Sequence, residues 1–151
     1  MIDLNKIKIL REKTGASIAE CREALDATGG DLTKAEEWLA KHGISKAAKK
    51  ADRKTSQGVV ESYIHGAGKI GVLVEINCET DFVARTADFK KLAHEVAMQI
   101  SAMNPQDTKE LMAQLYIRDP KMTINDLIKQ TIAKLGENIK IKRFIRLALG
   151  E

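Results

Sequence analysis

The hydrophobic pattern of this chain changes period once, at Gly58. Before it, apolar residues recur every three or four positions, the spacing that lines one face of an α-helix. Leu4, Ile7 and Leu10 predict a first helix over 6–14, stopped by Gly15. Ser17, Ile18, Ala19 and Glu20 form a capping box, a serine whose side chain bonds the backbone three residues on while a glutamate bonds back. It opens a second helix with Ile18, Cys21 and Leu25 on one face, which Gly29 and Gly30 end. Asp31 caps a third helix carrying Leu32, Ala35, Trp38 and Leu39, which Gly43 closes. Three helices in 1–44 enclose a small core whose largest member is Trp38, a module marginal by itself.

After Gly58 the period becomes two. Residues 59–65 are rich in β-formers, and Ile70, Val72, Val74, Ile76 and Cys78 alternate with Gly71, Leu73, Glu75 and Asn77 as in a half-buried strand. A helix follows with Phe89, Leu92, Ala93, Val96, Ala97, Ile100 and Met103 on one stripe, ended by Asn104 and Pro105. A polar stretch runs to Met122. Thr123 and Asp126 then cap a second helix bearing Ile124, Leu127, Ile128, Ile132 and Leu135, stopped by Gly136. The last strand places Ile139, Ile141, Ile145, Leu147 and Leu149 on one parity, which Arg143 breaks as a bulge or an edge position. The order β-β-α-α-β over 58–151 implies an α+β fold: a small antiparallel sheet with helices on one face.

Between the two patterns, 45–57 holds no large apolar side chain. It reads as a linker, transiently helical through its alanines. It also accounts for the charge. The chain carries a net +4, and this stretch alone has five basic residues against one acidic, while the segments on either side nearly balance. A nucleic-acid-binding face spreads basic charge and adds stacking aromatics; with aromatics at 4%, no such partner is expected, and an RNA-binding arm rests on the linker alone. No apolar run approaches the ~20 residues that span a bilayer. Met1 to Lys6 lack a signal core, and Asp3 and Glu12 argue against a transit peptide. Cys21 and Cys78 fall in separate modules, which favours reduced thiols and a cytosolic-type compartment.

Gly66-Ala67-Gly68-Lys69-Ile70-Gly71 matches the spacing of a dinucleotide fingerprint, but that fingerprint needs a helix after it and here a strand follows. The glycines make a hairpin turn. His42, His65 and His94 lie in different elements, and neither cysteine has a neighbour at metal-ligand spacing. Nothing proposes a nucleophile, a metal site or a bound cofactor. The informative segment is Thr80-Asp81-Phe82-Val83, at the joint between a strand and a helix. Either Thr80 or Asp81 caps a helical turn and Phe82 packs inward, or Phe82 projects from a polar surround as a contact for another molecule. The residue pattern leaves both open.

That segment, following Val74-Glu75-Ile76-Asn77-Cys78-Glu79, resembles the signature of the elongation factor Ts family, the guanine nucleotide exchange factors of elongation factor Tu. Two further stretches resemble the family in order: Leu10-Arg11-Glu12-Lys13-Thr14-Gly15-Ala16, with Gly30-Asp31-Leu32 through Trp38-Leu39, and Ile132-Ala133-Lys134-Leu135-Gly136-Glu137-Asn138-Ile139. The resemblance implies that 1–44 is a ubiquitin-associated-like domain docking on elongation factor Tu through Ser17, Ile18, Ala19 and Glu20. It implies that Asp81 and Phe82 disturb the Mg²⁺ site of elongation factor Tu, with Thr80 and Val83 holding them in place. It also implies a bacterial-type cytoplasmic protein that performs no covalent catalysis and binds neither nucleotide nor metal itself. Longer members repeat the core unit and carry a helical hairpin; only one unit fits here, so a homodimer is the expected compensation. The competing reading is an interaction adaptor without exchange activity.

Overall fold

The computed structural model describes residues 3–151; the reading of Met1 and Ile2 as part of no targeting segment lies outside them. Three helices open the chain: α1 (Leu4–Thr14), α2 (Ile18–Ala27) and α3 (Leu32–Ala48). Asp3, Ser17 and Asp31 cap them by accepting from backbone N–H groups of the first turn. Their shared core is Ile7, Leu10, Cys21, Ala24, Leu25 and Ala35, with Trp38 and Leu39 packed against it. Leu4 and Ile18, placed on the inward stripes by spacing, are exposed instead. Each is the first residue of its helix, one turn ahead of the small cluster it was expected to join.

The third helix departs from expectation at its end. Gly43 does not stop it; α3 runs on to Ala48, so residues 45–48 are helical rather than linker. Alanine and lysine are strong helix formers, and the Ala47 methyl is buried in the second core of the molecule. A stretch without a large apolar side chain is thus anchored at its start by one methyl group.

The rest of the chain is β1 (Gln57–His65), β2 (Ile70–Cys78), α4 (Asp81–Ala84), α5 (Ala87–Met103), α6 (Thr108–Ala113), β3 (Leu115–Tyr116), β4 (Asp119–Thr123), α7 (Ile124–Leu135) and β5 (Lys140–Ala148). The main sheet has the order β1-β2-β5 and is antiparallel throughout, as the β-β-α-α-β pattern requires. Its inner face presents Val72, Val74, Ile76 and Cys78 to Phe89, Leu92, Val96 and Ile100 of α5. Each fully buried aliphatic or Phe side chain here contributes roughly 2 kcal/mol of transfer free energy. Gly66, Ala67 and Gly68 make the β1–β2 turn, all with positive φ. Gly58 pairs with Asn77 at φ 149, where a Cβ would lie 2.0 Å from the Ile76 carbonyl oxygen; no other residue fits there.

Arg143 marks a β-bulge. Glu75 pairs with Arg143 and the next residue, Ile76, with Ile141, leaving Lys142 unopposed. The bulge reverses the parity of β5. Ile139 and Ile141 face the core, and so does Phe144. Ile145, Leu147 and Leu149 are turned to the outer face and exposed, so the single apolar face expected for this strand is two half-faces.

The expected polar stretch before Met122 holds α6 and the β3–β4 hairpin. Polar groups on α5 anchor that hairpin. Buried Gln99 donates to the Leu115 carbonyl at 3.0 Å and accepts from Ile117 N–H at 3.0 Å. Buried Glu95 accepts from the Tyr116 hydroxyl at 2.6 Å and pairs with Arg118 at 2.9 Å. Burial, and then the Glu95 carboxylate, push the Tyr116 hydroxyl well above the usual phenol range.

Candidate functional site: the junction between β2 and α5

The strand β2 ends in the core at Cys78, and the chain turns outward through Glu79 and Thr80 into the single turn of α4. Thr80 is extended, at φ −125 and ψ 156, and caps α4 by accepting from Val83 N–H at 3.4 Å. Its own hydroxyl donates to Glu137 Oε2 at 2.7 Å and its backbone N–H donates to Glu137 Oε1 at 2.9 Å. Its carbonyl accepts from the Cys78 thiol at 3.1 Å. Every polar group of Thr80 is therefore held. The Cys78 thiol is pushed up to about 11, first by burial and next by the Glu137 carboxylate nearby.

Asp81 is exposed and pairs with Arg85 one turn on, at 3.1 Å. Val83 is half-buried against the main core, Ala84 is buried, and Thr86 caps α5 by accepting from Phe89 N–H at 3.2 Å. Phe82 is different: it is 79% exposed, while Phe89, seven residues later, fills the core completely. The choice left open by the sequence is decided in favour of projection. Phe82 thus projects from a turn whose backbone is capped by Thr80 and tied to Glu137.

Ser17, Ile18, Ala19 and Glu20 stand at the start of α2. The capping box forms, with Glu20 N–H donating to Ser17 Oγ at 3.2 Å and Ser17 N–H to Glu20 Oε2 at 2.9 Å. Lys46 of α3 pairs with the other carboxylate oxygen. These bonds, the Lys46 contact foremost, hold the Glu20 carboxyl down at about 2. Ile18 and Ala19 are exposed and, with Arg22, Glu23 and Asp26, edge a shallow groove. No hydrogen bond or ion pair joins this set to 80–83 among the described residues.

The sequence reading assigned no role to the residues that brace the junction. Asn138 is buried, and its side chain donates to the carbonyls of Ala51 and Arg53 at 3.2 and 2.8 Å. Its N–H donates to Glu79 Oε1 at 2.8 Å, and Arg53 pairs with the same oxygen at 3.6 Å. Glu137 and Asn138 lie more than fifty residues from 79–80, so only the tertiary structure reveals the contact. Among the described residues no group of three or more His, Cys, Asp or Glu could hold a metal ion, and no helix is long and apolar enough to cross a membrane.

The sequence model of the family described as Elongation factor TS matches residues 79–151, a span that includes Thr80–Val83, Glu137 and Asn138 but not Ala51 and Arg53. Over almost the whole chain, the similarity is to proteins named Elongation factor Ts. The one from Desulfosudis oleivorans is 44% identical over 99% of this chain and 98% of its own length. That from Coprothermobacter proteolyticus is 43% identical over 99% of each. The chain belongs to the elongation factor Ts family. A third relative, Elongation factor Ts of Rippkaea orientalis, is 44% identical over 99% of this chain and 79% of its own. Membership of the elongation factor Ts family places the chain among the elongation factors of translation. The first two alignments run over 195 positions against 151 residues here, so more than forty positions of each relative have no counterpart in this chain.

Proposed function

We propose that this chain binds elongation factor Tu carrying GDP and accelerates GDP release by inserting Phe82 beside its Mg²⁺ site. The observation that carries the proposal is the exposure of Phe82 on a turn that Thr80 ties to Glu137. A nucleotide held through phosphate and Mg²⁺ leaves slowly, because the metal ties phosphate oxygens to the protein. A factor that binds the metal-free form more tightly than the nucleotide-bound form weakens nucleotide binding by the same ratio. Phe82 supplies the displacement; Asp81, steadied by Arg85, sets the register; Thr80 and Val83 hold the turn. No bond is made or broken, and the chain itself binds neither nucleotide nor metal.

In this reading 1–44 acts as a ubiquitin-associated-like docking domain through Ser17, Ile18, Ala19 and Glu20, supported by the exposure of Ile18. Residues 58–151 act as the exchange core, in the cytoplasm of a bacterial-type cell. A homodimer supplies the second core unit; its support is the outer sheet face, where Val60, Ile64, Leu73, Ile145 and Leu147 are exposed. The test is release of labelled GDP from elongation factor Tu. Acceleration at catalytic amounts of this protein is expected, and an unchanged release rate at saturating amounts ends the proposal.

A further inference from the structure

We infer that Glu137 is a positioning residue for exchange, its carboxylate fixing the direction in which Phe82 projects. The inference rests on the Phe82 reading above and adds to it the residue that aims the side chain. A four-residue helix such as α4 has no stability by itself, because nucleation is costly and few hydrogen bonds repay it. Its shape depends on its anchors. Thr80 has two donors, N–H and O–H, and both end on the two oxygens of Glu137 at 2.9 and 2.7 Å. A hydroxyl has one proton. Once that proton is directed at Glu137, a lone pair is left for Val83 N–H, the contact that caps α4. Without the carboxylate the turn bearing Phe82 loses its tether, and the Thr80 side chain that caps it loses the partner that holds its rotamer.

Glu137 is itself held. It follows Gly136, the left-handed residue that ends α7 at φ 77. It precedes Asn138, whose N–H and side-chain amide are pinned to Glu79, Ala51 and Arg53. The anchor is thus part of the rigid α7–β5 joint, whereas Phe82 makes almost no contacts of its own.

The experiment uses the full chain and elongation factor Tu loaded with fluorescent GDP, measuring release rate against concentration for the parent, Phe82→Ala, Glu137→Ala and Glu137→Gln. Charge-assisted hydrogen bonds of this kind set an expected loss of about tenfold in maximal rate for Glu137→Ala. The half-saturating concentration should stay within about twofold of the parent, since docking surfaces are untouched. Glu137→Gln, which keeps one acceptor for Thr80, should fall between. Amide exchange at Phe82 and Val83 should quicken in Glu137→Ala by more than the modest fall in melting temperature accounts for, while the core amides of α5 stay protected.

A parental maximal rate in Glu137→Ala, with Phe82→Ala impaired, overturns the inference and leaves the Phe82 reading standing. A raised half-saturating concentration with unchanged maximal rate also overturns it, since Glu137 would then act in docking. Should Glu137→Ala fail to fold, the isosteric Glu137→Gln decides alone, and a parental rate there overturns the inference. If Phe82→Ala exchanges like the parent, the Phe82 reading fails and takes this inference with it.

Discussion

Gly43 of α3 faces Ala133 of α7 so closely that a Cβ on the glycine would lie 3.0 Å from the Ala133 methyl carbon. The helix carrying the N-terminal core thereby rests directly on a helix of the α+β core. A larger side chain at 43 must separate the two helices. Gly43→Leu is expected to cost about 1–3 kcal/mol, as overpacking at a close contact does. Denaturant unfolding checks it. A midpoint equal to the parent's would mean that the helices separate at no cost.

Phe82→Ala removes a side chain that is 79% exposed and touches little of its own protein. Stability should stay within about 0.5 kcal/mol of the parent. Truncating a contact hot spot typically costs about 2–4 kcal/mol, so GDP release should slow by roughly 30- to 1,000-fold at 1.4 kcal/mol per decade. Paired melting curves and release assays settle it: loss of fold, or parental exchange, contradicts a projecting wedge.

Much of this arrangement could be read from spacing. The three N-terminal helices, the hairpin at Gly66–Gly68 and the apolar stripes of α5 and α7 follow from periodicity, because burial against one neighbour leaves a repeating mark. The errors share a cause. Gly43 looked like a helix stop because glycine is a poor helix former; its reason for being there is Ala133, ninety residues away. Ile145 and Leu147 looked inward because parity was counted through Lys142, whose unopposed place depends on pairing with β2. The motif at 80–83 was visible as an anomaly, an aromatic among polar residues. The direction of Phe82 was not, since the turn that carries it is tied to Glu137, 57 residues from Thr80 along the chain.

The Glu20 carboxyl, held at about 2 against an ordinary 4.5, gives a pH signature. Its folded pKa is depressed, so the stabilisation is present above about pH 4.5 and is lost as pH falls toward 2. Lys46 is about half exposed, so solvent screening limits the ion pair to roughly 0.5–1 kcal/mol. Glu20→Gln should therefore be less stable than the parent at pH 7, with the gap closing between pH 4.5 and 2. A gap that persists unchanged at pH 2.5 would show that the carboxylate charge contributes nothing.

The outer face of the sheet bears on assembly. Leu73 lies at its centre, opposite Ser62 on β1 and Ile145 on β5, and the adjacent row places Gly71 between Ile64 and Leu147. Leu73, Ile64, Ile145 and Leu147 are all exposed. Fully burying one such side chain gains roughly 1.5–3 kcal/mol, so several covered together favour pairing with another apolar face. If two copies meet here, Leu73→Lys places a charge in the middle of the contact, where desolvation opposes it. In the single chain the same lysine points into water and should leave the melt nearly unchanged at high dilution. Sedimentation equilibrium at micromolar concentration is expected to give a dimer for the parent and a folded monomer for Leu73→Lys. A monomeric parent that exchanges GDP at its full rate would remove the dimer from the proposal, because one sheet and one Phe82 would then suffice.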